Sequence, residues 1–184
     1  MFALIYLLKC ISCIDYSNYI ILKIIGTGEK TFYNRLMFEN YPNEIYINEN
    51  KTSQAINSYY FTEENNIVVL VWNKPIDSCY CMFQGCCNIK EIDLSNFDAS
   101  HVISMYGMFS GCSSLSLINL NNCNTSQVND MSGMFSSCSS LTLINLSYFN
   151  TSQVKDMSAM FHSCSSLTLL NLSNFITSKV TKMN

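Results

Sequence analysis

The sequence predicts an α/β solenoid, with a parallel strand ladder on one side and short helices on the other, preceded by a small β-rich N-terminal cap. Three observations lead to this prediction. Residues 76–184 repeat with a period of 26, each period contains an aliphatic strand pattern, and a helical apolar spacing separates successive strand patterns. A fixed period of this length indicates stacked copies of one supersecondary unit.

The period is most visible in pairs of methionine and phenylalanine. Four such pairs follow one another at this constant interval: Met82-Phe83, Met108-Phe109, Met134-Phe135 and Met160-Phe161. When Cys112–Ser137 is aligned with Cys138–Ser163, only seven of the 26 positions differ. Residues 76–184 are therefore predicted to be one array of equivalent repeats.

A short strand is predicted at the centre of each period. In one copy Leu115, Ile118 and Leu120 are spaced so that Ile118 and Leu120 point inward while Asn119 points outward. The same aliphatic pattern begins at Ile89, at Leu141 and at Leu167.

A short helix is predicted between successive strands. Its apolar residues follow an i, i+3, i+6, i+7, i+10 spacing, which places them on one helical face: Val128, Met131, Met134, Phe135 and Cys138. Paired strands lie about 4.8 Å apart, whereas packed helices need about 8–10 Å. The strands are therefore predicted to line the concave side and the helices the convex side.

The repeat M-F-x-x-C-S-S-L-x-x-I-N-L-x-x-F-x-T-S-x-V-x-x-M resembles the 26-residue repeat of the BspA-like leucine-rich repeat surface proteins. The resemblance covers roughly residues 76–184. It implies a leucine-rich-repeat arc at the cell surface or outside the cell, which mediates adhesion or ligand binding without catalysis. The implied partner is a protein or glycan ligand on another cell or matrix.

The outward strand positions supply the candidate binding residues. They form two rows along the predicted concave face: Glu91, Leu117, Leu143 and Leu169 in one, and Asp93, Asn119, Asn145 and Asn171 in the other. Three solvent-facing leucines in a row are typical of partner sites. An alternative to a binding surface stays open. The asparagines can form a ladder of amide-to-amide hydrogen bonds between repeats, and the leucines can be covered by further sequence or by a neighbouring protomer. A structural spacer stays open as a function, and so does an intracellular protein-binding scaffold, which would fit free thiols.

The remaining sequence divides into two parts. Residues 15–75 are predicted to form the β-rich cap, with strands at Tyr19–Ile25, Glu44–Ile47, Ser58–Phe61 and Ile67–Trp72. Residues 1–14 read either as a degenerate or truncated secretory signal or as an ordinary buried strand. Because the array stops at Asn184, before the next Met-Phe pair, we expect a C-terminally truncated repeat.

Several functions are excluded by composition and spacing. The net charge of −3 and the absence of a lysine or arginine cluster argue against nucleic-acid binding. No nucleophile has a partner at a defined offset, so we expect no enzyme, no catalytic residue and no cofactor. Membrane association is expected only through missing sequence or the signal segment.

The ten cysteines raise the question of metal or disulfide sites. One set recurs in a single slot of the repeat: Cys86, Cys112, Cys138 and Cys164. We interpret these thiols as small hydrophobes, because neighbouring copies are expected beyond disulfide reach. Cys10-x-x-Cys13 and Cys79-x-Cys81 could together supply four zinc ligands. Because the sequence has no second C-x-x-C and no histidine nearby, packing or an adventitious disulfide is preferred, and no metal site is predicted.

Overall fold

A computed structural model gives the structure of the protein over residues 18–52 and 56–184. These residues form eight β-strands and contain no helix. The strands are β1 (Tyr19–Ile25), β2 (Gly28–Thr31), β3 (Glu44–Ile47), β4 (Asn50–Lys51), β5 (Ser58–Phe61), β6 (Asn65–Val71), β7 (Ile89–Asp93) and β8 (Leu117–Asn119). The described part of the chain is therefore all-β.

The strands form two sheets. The larger has six strands in the order β4-β3-β6-β1-β7-β8, and the smaller pairs β2 with β5. Strand β1 lies between β6 and β7 and runs antiparallel to both, so that Ile21 faces Val69 on one side and Asp93 on the other. Strands β7 and β8 pair in parallel, with Ile92 opposite Ile118.

The strands of the cap agree with the sequence pattern. Strands β1, β3 and β5 have the predicted bounds, and β6 begins two residues earlier and ends one residue earlier than predicted. Strands β2 and β4 were not predicted. Alternation along β1 buries Ile20, Leu22 and Ile24 completely in the main core. Because β1 also pairs with β7, the cap and the first repeat strand belong to one sheet.

Outside the strands, successive repeats meet through backbone contacts between equivalent positions. Isolated parallel bridges connect Ser78 to Ser104, Ser104 to Asp130, Asp130 to Asp156, and Asp156 to Lys182. In the same part of each repeat, the phenylalanines of the four Met-Phe pairs stack on one another, with successive ring centroids 5.7, 5.3 and 5.6 Å apart. The sequence period thus sets the register in which the repeats contact one another.

The predicted convex helices are wrong, and the hydrogen bonds show why. Tight turns with a three-residue spacing bring Val128 N to Thr125 O and Met134 N to Met131 O. Other backbone amides of the same segment donate to carbonyls of the following repeat: Met131 N donates to Asp156 O, and Phe135 N donates to Met160 O. An α-helix would need these donors for its own carbonyls, so the segment forms turns although its apolar spacing fits a helix.

The α/β solenoid with its leucine-rich-repeat arc and parallel strand ladder is wrong as well. Among the described residues, β7 and β8 are the sole repeat strands, and Leu143 meets Leu169 at an isolated bridge. The later copies of the strand pattern are mostly turns and extended segments without a continuous ladder. The concave and convex sides predicted from that ladder therefore have no counterpart here.

Candidate binding surface

The three outward-facing leucines lie in one row on the repeat surface, which we call the leucine row: Leu117, Leu143 and Leu169. Their side chains are 57%, 59% and 65% exposed. Parallel pairing places Leu117 opposite Glu91 and Leu143 opposite Leu169, and the 26-residue period gives Leu117 the same repeat position as Leu143. Ile118 and Ile144, one position further along the chain, are buried, so alternation fixes which face carries the row.

A salt bridge bounds the leucine row on the side of the cap. Lys23 of β1 lies opposite Glu91 of β7, and its Nζ donates to Glu91 Oε1 at 2.9 Å. Both side chains are partly exposed, so the pair contributes little to stability but places two fixed charges beside Leu117. Sequence reasoning missed Lys23, because nothing in the repeat indicates which cap strand pairs with β7.

The second predicted row, Asp93, Asn119, Asn145 and Asn171, mostly stabilises turns. Each Oδ1 accepts a backbone N–H two residues further on, at 2.8 to 3.1 Å. One side-chain bond also joins neighbouring repeats, from Asn119 Nδ2 to Asp93 Oδ1 at 3.0 Å. The acceptor oxygens are therefore occupied by local turns, and the amide NH₂ groups are the donors left for a partner.

The cysteines of the repeat slot lie in the core as free thiols. Cys112, Cys138 and Cys164 donate their S–H to the carbonyls of Phe83, Phe109 and Phe135, at 3.0 to 3.2 Å. All eight cysteines within residues 18–52 and 56–184 are free, and that part of the chain shows no group of three or more potential metal ligands. Cys10 and Cys13 lie outside the described residues.

Burial makes the slot thiols poor nucleophiles. It raises the pKa of Cys86 and of Cys138 to about 12, so both are protonated at pH 8. Cys87, the next residue after Cys86, is exposed. We expect iodoacetamide at pH 8 to alkylate Cys87 in the folded protein and to reach Cys86 and Cys138 only after unfolding, as read by peptide mass spectrometry.

Cys86 and Cys87 are neighbours in the sequence, so the exposed thiol serves as the control for the buried one in this labelling experiment. A variant with Cys10→Ser and Cys13→Ser removes the two thiols outside the described residues, and urea-unfolded protein gives the full labelling level. Equal native rates at Cys86 and Cys87 would contradict the burial of the slot.

No helix within the described ranges is long and apolar enough to cross a lipid bilayer.

Comparison with known protein families identifies a match that covers the repeats. Residues 77–184, more than half of the chain, match the family described as "Mycoplasma protein of unknown function, DUF285". No curated protein and no solved structure matches the chain. The resemblance to BspA-like leucine-rich repeat proteins is therefore corrected, because the family found is a different one and the described fold is all-β without helices.

Proposed function

The chain belongs to the DUF285 family, whose function is unknown, and on that premise we propose that it is a non-enzymatic module that binds a protein partner through the leucine row. We assign this binding to the cell surface, where it would serve adhesion. The single observation that carries the proposal is the exposure of three aligned leucines beside aliphatic positions that are buried or partly buried.

The energetics favour contact at the leucine row. Complete burial of a leucine contributes about 1.5–3 kcal/mol, so covering three half-exposed copies supplies a few kcal/mol before the costs of association. The aliphatic positions that neighbour the row in sequence, such as Ile118, Ile144 and Leu146, are between 1% and 7% exposed. The leucines are thus set apart from the packing of the repeats themselves.

Polar groups at the edge of the row would orient the partner. The Lys23–Glu91 pair lies next to Leu117, and the asparagine NH₂ groups run parallel to the leucines. A polar rim around an apolar centre is the usual anatomy of a protein interface, and charges there affect orientation and association rate more than affinity.

The test compares Leu143→Glu with Ile103→Glu. Ile103 is 50% exposed and lies outside the leucine row, so it matches Leu143 in size and exposure. We expect Leu143→Glu to weaken binding of the purified chain to intact cells and to immobilised matrix proteins at least tenfold, since a charge would be buried against the partner. Ile103→Glu should leave binding unchanged.

Two outcomes would contradict the proposal. Unchanged binding by Leu143→Glu, with an unaltered thermal unfolding midpoint, would favour a structural spacer. Complete protection of the protein from a membrane-impermeant label on intact cells would contradict the surface location and favour an intracellular scaffold.

A further inference from the structure

A second surface feature is an open groove of about 400 Å³ that crosses several repeats. It is separate from the leucine row, because it runs over the turns that contain the Met-Phe pairs. Its walls carry Gln84, Tyr106, Ser110, Ser136, Asp156 and Lys182. The groove therefore combines one aromatic ring, several uncharged polar groups and one pair of opposite charges.

The floor of the groove lacks large side chains at one repeated position. Gly107, Gly133 and Ala159 occupy equivalent places in successive repeats, and all three have positive φ angles of 55°, 60° and 54°. Positive φ favours glycine, which explains the small residues without reference to a ligand. Because these three positions lack large side chains, a bound molecule could approach the backbone across three repeats.

The aromatic ring of the groove, Tyr106, is held by a second tyrosine outside it, Tyr80. Tyr106 stacks on Tyr80 with ring centroids 4.8 Å apart and an interplanar angle of 10°, and each side chain is 38% exposed. Stacking fixes the ring orientation, so little side-chain entropy is lost on binding. An exposed tyrosine ring offers a flat apolar face together with a hydroxyl group.

The lining of the groove also carries polar groups at the repeat interval. Gln84, Ser110 and Ser136 hold the same place in three successive repeats, and their side chains make no hydrogen bond to the protein within the described ranges. The same lining includes Asp156, which pairs with Lys182 at 3.2 Å. Successive repeats thus present a free donor and acceptor every ~5 Å, close to the spacing of stacked backbone segments.

We propose that this groove binds a neutral glycan chain. A sugar ring presents an apolar face, which suits Tyr106, and a rim of hydroxyls, which suits the free side chains of Gln84, Ser110 and Ser136. The Asp156–Lys182 pair leaves no net charge in the walls, so an ionic ligand has no counterpart. The regular spacing of the polar groups fits a polymer of repeated units better than a single small molecule.

The test uses the full chain and isothermal titration with three neutral hexasaccharides: cellohexaose, chitohexaose and maltohexaose. We expect one of them to bind, and Tyr106→Ala to weaken that binding at least tenfold. Ser136→Leu, which adds an apolar side chain to the groove and leaves both tyrosines in the sequence, should have a similar effect. Tyr148→Ala is the matched control, because Tyr148 is 51% exposed and lies outside the groove.

The outcomes are separable from those for the leucine row. Leu143→Glu should leave glycan binding intact, so failure of one proposal does not imply failure of the other. Absence of binding to all three hexasaccharides at millimolar concentration would overturn the glycan assignment. Parental affinity in Tyr106→Ala and Ser136→Leu, with both variants unfolding at the same temperature as the parent chain, would overturn it as well.

Discussion

Replacing Phe135 by alanine is expected to cost about 3–5 kcal/mol of unfolding free energy, the usual penalty for removing a buried aromatic side chain. Phe135 is completely buried and stacks on both sides, with Phe109 at 5.3 Å and Phe161 at 5.6 Å. Removing its ring leaves a cavity that two rigidly stacked neighbours cannot collapse to fill. Urea unfolding followed by circular dichroism would measure the change.

Phe161→Ala provides a control in the same sequence context. Phe161 also follows a methionine, but it is only partly buried and stacks with a single phenylalanine, Phe135. We expect its replacement to cost roughly half as much, because both transfer and cavity contributions shrink with exposure. Equal costs at the two positions would show that the central ring gains nothing from its second neighbour.

Replacing Thr125 by valine is expected to cost about 2–6 kcal/mol, although valine has nearly the same shape. Thr125 is completely buried, and its Oγ1 both accepts from Asn150 N at 2.8 Å and donates to Asn150 O at 3.1 Å. The Thr125 hydroxyl thus satisfies the backbone N–H and C=O of Asn150, in the next repeat, in place of a backbone partner. Valine would leave an N–H and a C=O without partners, at about 1–3 kcal/mol each.

Thr142→Val is the control that separates the loss of these hydrogen bonds from other effects of replacing threonine by valine. Thr142 is exposed, and its side chain makes no hydrogen bond within the described part of the chain. We expect its replacement to change the unfolding free energy by less than about 0.5 kcal/mol. A loss at Thr125 no larger than at Thr142 would mean that water replaces the missing hydroxyl. Both values come from the same urea titration.

The sequence predicted the repeat register better than the secondary structure within it. Equivalent positions of successive periods meet in the structure, as the stacked phenylalanines and the bridges from Ser78 to Lys182 show. The spacing from Val128 to Cys138 was read as helical because it shows which residues face inward, not where the amides donate. Donors that serve the next repeat, such as Met131 N, cannot be recognised from apolar spacing alone.

The candidate site was predictable to a similar degree. Strand alternation identified Leu117, Leu143 and Leu169 as outward-facing, and all three are exposed. The contribution of Lys23 depends on the pairing of β1 with β7, which joins segments distant in the sequence and has no local signal. The groove beside Tyr106 was missed because its free side chains lie on turns that the helical interpretation had placed on a different surface.

The backbone amides that donate to the next repeat limit how such chains can change in length. Met131, Gly133, Phe135 and Ser137 each donate to a carbonyl of the next repeat, one position short of a full period away. Gain or loss of a whole unit preserves every one of these pairings, whereas insertion of a single amino acid displaces them all. Variation by duplication of complete units is thus compatible with the fold, and piecemeal growth within a unit is not.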